Sequence, residues 1–426
     1  MTVVGFAGMT HLGIVSATAI ASRGFRTVCY DGDAALIDRL ERADLPVVEP
    51  DLDEHLSANG SNQSFTSNIK DIGLCDVVYI APDIPTDDEG QSDTAAIRAL
   101  IEQVAPSMKP DAVMVLLSQV EPGFTRGLSV PAPAQRYYQV ETLVFGRAVE
   151  RATQPERYIV GCSDPAKPLN PHFRAVLEAF NCPILPMRYE SAELAKISIN
   201  FCLVASISVA NTLAEVCEEI GADWSEIVPA LKLDRRIGQY SYLSPGLGIA
   251  GGNLERDLAT IERIGGQHGT DTQVVAAWKA NSRHRRDWAA RTIQSHLLDD
   301  NPQAVVAVWG LAYKENTHST KNSPSLATLG QIEVGRFNVY DPVVPADAAG
   351  KANAHGFASP IEAANDADAL MILTPWPEFR SIEPSAIAAA MKGRLVLDPY
   401  GVLEPSAAIN ARLLYHTLGR PPEGFE

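Results

Sequence analysis

The residues best suited to chemistry gather in three places along the chain. Near the start, the apolar run Thr2–Ala7 ends in Gly8-Met9-Thr10-His11-Leu12-Gly13, a helical pattern follows through Arg23, and a second apolar run, Thr27–Tyr30, stops at Asp31. Strand, glycine turn, helix, strand and acid in that order describe a βαβ unit. In such a unit the helix N-terminus receives a pyrophosphate and the acid binds a ribose diol. Thr10 stands where the middle glycine of that fingerprint allows close backbone approach. Asp31 favours NAD over NADP, because a carboxylate repels a 2′-phosphate. The second place is the helical pattern SAELAKISINFCLVASISVANTLAEVCEEIGAD, where Lys196 and Asn200 lie four residues apart and so share a face. A Lys and an Asn within an apolar helix need a polar target, since burying them unpaired is costly; a snorkelling lysine with a helix–helix hydrogen bond is the plainer alternative. The third is Asp234–Asp257, with Gly238, Gly246, Gly248, Gly251 and Gly252 within fifteen residues. Glycine at that density lets backbone approach a ligand. The interleaved Tyr240, Tyr242, Leu243, Leu247 and Ile249 argue for an ordered loop rather than a linker.

The elements that must position these residues follow from hydrophobic patterning. Further buried strands are expected at Asp76–Ala81, Ala112–Leu117, Tyr158–Gly161 and Cys182–Pro186, with Asp93 as the N-cap of a helix. Ser191 is expected to cap the long helix, which ends near Gly221 and is followed by more helix to about His296. Strands at Ala304–Leu311, Phe337–Tyr340, Ala369–Leu373 and Leu395–Leu397 then alternate with Ala-rich helices, and Ser323-Pro324 suits an N-cap and first helical position. The fold class is therefore α/β: two Rossmann-like doubly wound domains joined by a long central helix and a helical dimerisation region. The expected boundaries are residues 1–187, 188–298 and 299–426, in keeping with a chain of 426 residues being too long for one core.

Composition narrows the partners. A formal charge of −17 argues against a nucleic-acid surface, so a phosphate-bearing ligand must find local positive potential. The one dense basic run, Arg283-His284-Arg285-Arg286, suits a solvated or subunit-contact face better than a phosphate site. Six cysteines without CxxC spacing read as reduced core thiols of a cytoplasmic protein, and nine histidines without HxH or HxxxH spacing give no metal site. No signal peptide is indicated at the N-terminus. The apolar run Ile197–Leu213 is interrupted by Asn200, Ser206, Ser208 and Asn211, which argues against a membrane span.

Several stretches together resemble the UDP-glucose/GDP-mannose dehydrogenase family. The 234–257 loop is similar to the family's substrate loop, roughly DPRIG…PxxGxGGxCxPKD, through Arg236, Ile237, Gly238, Pro245, Gly248, Gly251 and Asp257, with Asn253 at the Cys position. APDIPTDDEGQSD resembles TPxxxDGxxD, keeping Pro85, Gly90 and Asp93 with Ile84 in place of Thr; SQVEPGFTR resembles STVPxGTT with Gln119 at the Thr; VETLVFGRA resembles PEFLxEGxA, keeping Glu141 while Phe145 replaces the second Glu. LAYKENTHSTKNSPS resembles GLAFKPxTDDxRxSP, with Lys314, Thr317, Ser323 and Pro324 kept and Lys321 at the Arg. ADALMILTPWPEF is close to ADAxxILTEWPEF, whereas in LVLDPYGVL Tyr400 stands at a usual Arg.

The resemblance implies a nucleotide-sugar dehydrogenase, which oxidises a sugar CH2OH to a carboxylate with two NAD. It assigns cofactor binding to Gly8, Thr10, His11, Leu12, Gly13, Asp31, Pro85, Gln119 and Lys321, and catalysis to Lys196, Asn200, Asp257 and Glu141. It assigns substrate binding to Glu141, Lys196, Asn200, Arg236, Tyr242, Leu243, Gly246, Gly251 and Lys314, with UDP-hexose as the leading nucleotide sugar. It further implies a homodimer in which Arg236 reaches the neighbour's site. In the family the Cys captures the C6 aldehyde before the second oxidation, and the amide of Asn253 is no nucleophile. Three readings follow: a two-electron oxidation at C6 or a redox-neutral rearrangement; a full four-electron oxidation in which Glu141 activates water; or a non-catalytic nucleotide-sugar-binding relative.

Overall fold

The computed structural model describes residues 2–85, 92–250 and 252–424, so Gly90 and Gly251 lie outside the described residues. The chain divides into two compact units, residues 1–199 and 200–426. The first is built on strands β1 (Val3–Ala7), β2 (Arg26–Tyr30), β3 (Gln63–Thr66), β4 (Val77–Ile80), β5 (Val113–Leu116), β6 (Arg136–Gln139), β7 (Tyr158–Cys162) and β8 (Ile184–Arg188). They form one sheet in the order β3-β2-β1-β4-β5-β6-β7-β8, parallel throughout except where β6 meets β7. β1, β4 and β5 are unbroken apolar runs because helices cover both faces, leaving no polar side for alternation. Strand order reverses between β1 and β4, and an open α/β sheet binds its ligand in the crevice at such a point.

The second unit repeats this order with six strands: β9 (Val305–Trp309), β10 (Arg336–Tyr340), β11 (Ala354–Gly356), β12 (Ala369–Ile372), β13 (Leu395–Leu397) and β14 (Leu414–His416). They pair in parallel as β11-β10-β9-β12-β13-β14 around Trp309, Phe337 and Phe379, all fully buried. Ser323 caps the helix Pro324–Gln331 with its hydroxyl on the Leu326 amide, as its Ser-Pro pair predicts. Helices Trp224–Leu233, Asn253–His268, Gln273–Arg286 and Trp288–Ile293 precede the sheet. The fully buried Arg285 pairs through Nη2 with Glu218 Oε1 at 2.7 Å, and the same oxygen accepts the Gly419 amide at 2.8 Å.

The long central helix spans Tyr189–Ile220 and ends where Gly221 turns to φ +81°, as expected. Its start differs from expectation. The helix begins at Tyr189, directly after β8, so Ser191 lies inside the first turn rather than capping it. The sequence shows a good capping residue, but the strand feeds straight into the helix and no separate cap is needed. By length and composition alone this helix could cross a membrane, yet it carries the fully buried Glu193, whose carboxylate accepts the Gly123 and Thr125 amides at 2.6 and 2.9 Å. Asp93 stands one residue outside the expected cap, Thr94 taking that position, while its carboxylate accepts the Ala95 amide at 2.9 Å. The cysteines also need a correction: Cys29, Cys75, Cys162 and Cys217 are buried, but Cys202 is exposed on the central helix.

One buried group gives the second unit a pH signature. His416, 4% exposed at the end of β14, packs its ring against His296 with centroids 4.6 Å apart. Burial, and secondarily His296, lowers its pKa to about 4. An unfolded His titrates near 6.5, so on acidification the unfolded chain takes up this proton first. The native state is therefore weakened as pH falls from about 6.5 towards 4, by up to about 3 kcal/mol, and recovers above pH 6.5. Urea unfolding at pH 7 and pH 5 should show a smaller loss on acidification in His416→Gln than in the parent; identical losses would refute this role.

Candidate active site

The glycine turn after β1 is as tight as a phosphate cradle requires. At Gly8, where φ is +95°, an added Cβ would lie 2.8 Å from the Pro82 nitrogen; at Gly13 it would lie 2.0 Å from the Gly8 carbonyl oxygen. No side chain larger than hydrogen fits either position, so the first helix, His11–Ala21, sits directly against the turn. Asp31 closes the other side, accepting the Met9 amide on Oδ2 at 2.8 Å and the Asp33 amide on Oδ1 at 3.0 Å. Thr10 and Pro85 join Gly8 and Asp31 in lining a cavity of about 190 Å³ floored by Ile97 and Leu100. The glycines without room for a Cβ, the acid at the end of β2 and an apolar floor fit the adenosine and diphosphate portion of NAD.

His11, expected only as part of the fingerprint, does more. Its Nε2 is 2.9 Å from Glu49 Oε1 and its ring packs against Phe145, tilted by 33° with centroids 4.5 Å apart. The Glu49 side chain is wholly buried and also accepts the Gly146 amide at 3.0 Å and the Ala148 amide at 3.2 Å. One carboxylate thus ties the glycine turn to the loop that carries Glu141. Sequence reading missed Glu49; the available signal was a lone acid in the proline-bounded apolar run Pro46-Val47-Val48-Glu49-Pro50. Leu12 is buried beneath the same turn, and Gln119 follows Ser118 at the end of β5.

Lys196 finds the polar target its position demands. Its Nζ donates to the Glu141 carbonyl oxygen at 2.9 Å and lies 3.4 Å from Glu141 Oε2, with both side chains mostly buried. The other Glu141 oxygen, Oε1, accepts the Leu143 amide. One turn further along the helix, Asn200 Nδ2 donates to Asp257 Oδ2 at 2.5 Å, and Arg256 Nε lies 3.4 Å from Asp257 Oδ1. Asp257 is 1% exposed, so Asn200 and Arg256 together offset the cost of burying its charge. An ionised carboxylate only accepts, which fixes the Asn200 amide with nitrogen towards Asp257 and leaves its second N–H and its carbonyl for another partner.

The glycine-rich loop is ordered by residues outside it. The Gly246 amide donates to Asn211 Oδ1 at 2.9 Å, Leu243 is buried with its carbonyl on Trp224 Nε1 at 2.7 Å, and Ile249 donates to Ser282 Oγ at 2.8 Å. Tyr242 is half exposed, and the ring of Tyr400 lies 3.7 Å from where a Cβ on Gly246 would be. Asn253 is the first residue of the helix Asn253–His268, after Gly252 at φ +92°. Lys321 packs against this turn, its Cε 3.2 Å from a Cβ built on Gly252. Lys314 lies with its Nζ 5.7 Å from the centre of the Tyr313 ring. Arg236 is 89% exposed at its side chain and makes a two-pronged pair with Asp234 at 2.6 and 3.0 Å.

A doubly wound sheet with a glycine-tight turn at its switch point is the architecture of a dinucleotide-binding protein. The NAD binding domain of the UDP-glucose/GDP-mannose dehydrogenase family matches residues 2–177, its central domain residues 190–283 and its UDP binding domain residues 307–405. The chain belongs to this family, and its cofactor is NAD. It is 27% identical over 427 residues to a putative UDP-glucose 6-dehydrogenase of Bacillus subtilis, covering 97% of this chain and 99% of that one. It is also 27% identical over 443 residues to a UDP-glucose 6-dehydrogenase of Pseudomonas aeruginosa, covering 98% and 97%. Among solved structures, a UDP-glucose dehydrogenase from Pyrobaculum islandicum superposes with a TM-score of 0.82 at 25% identity over 96% of this chain and 98% of that one. A UDP-D-ManNAc dehydrogenase from Pyrococcus horikoshii shares the fold with a TM-score of 0.84 at 21% identity, over 98% and 99%.

Proposed function

We propose that this chain is an NAD-dependent oxidoreductase acting on C6 of a nucleotide sugar, a UDP-hexose, and that it stops at two electrons or returns the hydride in a redox-neutral rearrangement. The observation that carries this reading is Asn253 at the first position of its helix. A thiol there would be acidified by the helix N-terminus and poised to attack an aldehyde; an amide does neither. The retained pairs, Lys196 with Glu141 and Asn200 with Asp257, support the first oxidation. The nicotinamide of NAD would supply the hydride acceptor for C6 when bound at the Gly8–Gly13 turn. Lys196 supplies positive charge, and the free N–H of Asn200 a hydrogen bond, to the C6 oxygen as negative charge develops on it. Glu141 and Asp257 hold these donors in place and take part in proton removal. Gly8, Gly13 and Asp31 hold the cofactor, assisted by Thr10, His11, Leu12, Pro85, Gln119 and Lys321; Tyr242, Leu243, Gly246, Gly251 and Lys314 belong to the sugar-nucleotide side.

The match of residues 307–405 to the family's UDP binding domain supports a nucleotide sugar as the substrate. The three matched domains support the division at 1–187, 188–298 and 299–426. A homodimer through the central helix is supported by Val209, Leu213, Val216 and Ile220, exposed at alternating spacings of four and three. Arg236, with 89% of its side chain exposed, is open to a second subunit once it releases Asp234. The reduced thiols fit a cytoplasmic setting.

The deciding measurement is NADH formed per UDP-glucose consumed. One equivalent with an aldehyde, or none with an isomerised sugar, is the expected result. Two equivalents with a uronic acid would establish the four-electron reaction through water, and binding of both ligands without turnover would establish a non-catalytic relative.

A further inference from the structure

The segment between β6 and the short helix Ala148–Thr153 belongs to no strand or helix, yet it carries Glu141. It is held from its two ends. At one, Lys196 Nζ donates to the Glu141 carbonyl oxygen at 2.9 Å. At the other, the Glu49 carboxylate accepts the Gly146 amide at 3.0 Å and the Ala148 amide at 3.2 Å. Arg147 stands at the N-cap of the short helix without a side-chain bond to it, so Glu49 supplies the missing acceptor from 99 residues away. Between the two anchors Val144 and Phe145 are exposed. The same carboxylate meets Nε2 of His11, the first residue of the helix after the glycine turn, at 2.9 Å. An ionised carboxylate only accepts, which makes Nε2 the protonated nitrogen of that ring. Three donors thus converge on one wholly buried side chain. A glutamine of the same shape would turn its own NH2 towards at least one of them. At the far end of both helices Arg23 Nη2 donates to the Thr153 carbonyl oxygen, so the helices His11–Ala21 and Ala148–Thr153 are fastened to each other at both ends.

We propose that Glu49 is a positioning residue of the reaction: through His11 on one side and the Gly146 and Ala148 amides on the other, it sets the distance between a dinucleotide at the glycine turn and the Glu141 carboxylate. This rests on the reading of Lys196 and Glu141 as the groups beside C6. Misplacing a reacting group by about 1 Å costs on the order of a hundredfold in rate. The turn's own grips on the cofactor, Gly8, Gly13 and Asp31, are built independently of Glu49. Loosening Glu49 therefore costs rate and leaves NAD affinity in place.

The test is single-turnover hydride transfer from UDP-glucose to NAD, with NAD affinity by calorimetry, in the parent, Glu49→Gln, Glu141→Gln and the double variant. Glu49→Gln should slow hydride transfer about a hundredfold while NAD affinity stays within about threefold of the parent. In the Glu141→Gln background the same change should cost less than about threefold, because no carboxylate is left to misplace. Hydride transfer in Glu49→Gln within about threefold of the parent overturns the proposal, and so does a loss confined to NAD affinity. An equal loss in both backgrounds also overturns it, since Glu49 would then serve packing alone. Should Glu49→Gln fail to fold, His11→Phe decides by the same criteria, with about a tenfold slowing expected; it keeps a ring against Phe145 and removes the nitrogen that meets Glu49. A parent that transfers no hydride would instead remove the Lys196–Glu141 reading itself, an outcome told apart by its appearing without any substitution.

Discussion

Replacing Lys196 with methionine should lower kcat with UDP-glucose and NAD by about a thousandfold while leaving the affinity for NAD within about twofold. Methionine keeps the length and apolar stem but removes the charge, so the packing of the central helix is preserved. The ammonium is held by the Glu141 carbonyl and carboxylate at 2.9 and 3.4 Å, with 13% of its side chain exposed. Such a fixed, desolvated charge stabilises a developing oxyanion far more than a mobile one in water. Single-turnover hydride transfer is the cleanest readout, because it separates chemistry from product release. A loss smaller than tenfold, or one confined to KM, would show that Lys196 only brings the substrate in. If the chain proves redox-neutral, the same variant should lose sugar isomerisation to the same extent, since removal of the first hydride is common to both routes.

The largest effect on stability is expected in the second unit. Glu218→Ala should cost about 3–5 kcal/mol in urea unfolding, because it leaves Arg285, whose side chain is completely buried, with only the more distant Glu215 Oε1 at 3.5 Å as a carboxylate partner among the described residues. Glu218 Oε1 serves both Arg285 and the Gly419 amide, so the alanine also leaves that amide without its carboxylate acceptor. Arg285 Nε has no hydrogen-bond partner among the described residues, and Glu215 already serves His284 at 2.6 Å, which leaves the guanidinium little to fall back on. The double variant Glu218→Leu, Arg285→Met should recover most of the loss, since an apolar pair of similar volume carries no desolvation cost. Equal instability in the double variant would mean that Gly419, not the buried charge, is the critical partner.

Much of the fold can be read from the sequence because buried parallel strands are continuous apolar runs between turn residues. β1, β2, β4, β5, β7, β8, β9, β10, β12 and β13 fall within about two residues of expectation. The strands not anticipated are those whose character comes from their neighbours. β6, Arg136-Tyr137-Tyr138-Gln139, is fully buried although it is bounded by polar residues. Arg136 can lie there because its Nη1 donates to the Thr125 and Leu128 carbonyl oxygens, a compensation visible only in three dimensions. β3, Gln63-Ser64-Phe65-Thr66, is a sheet-edge strand with a single strong β-former besides Thr66.

The site divides in the same way. Residues with a local signature, the glycine turn, Asp31 and the spacing of Lys196 and Asn200, could be named from the chain alone. Their supports could not, because Glu49 lies 38 residues from His11 and 99 from Ala148, and nothing local connects them. The bond from Asn200 to Asp257 likewise spans 57 residues. What the family resemblance contributed was the expectation that such partners exist; the geometry shows which atoms they use.

β8 ends at Arg188 and the central helix begins at Tyr189, with no spacer between them. The rotational phase of the helix is therefore set by the sheet itself. Each residue added or removed at that junction would turn the first turns of the helix by about 100°, swinging Lys196 away from Glu141. Length variation in this chain is then tolerable in the surface turns but not at this seam, where the number of residues works as an angle.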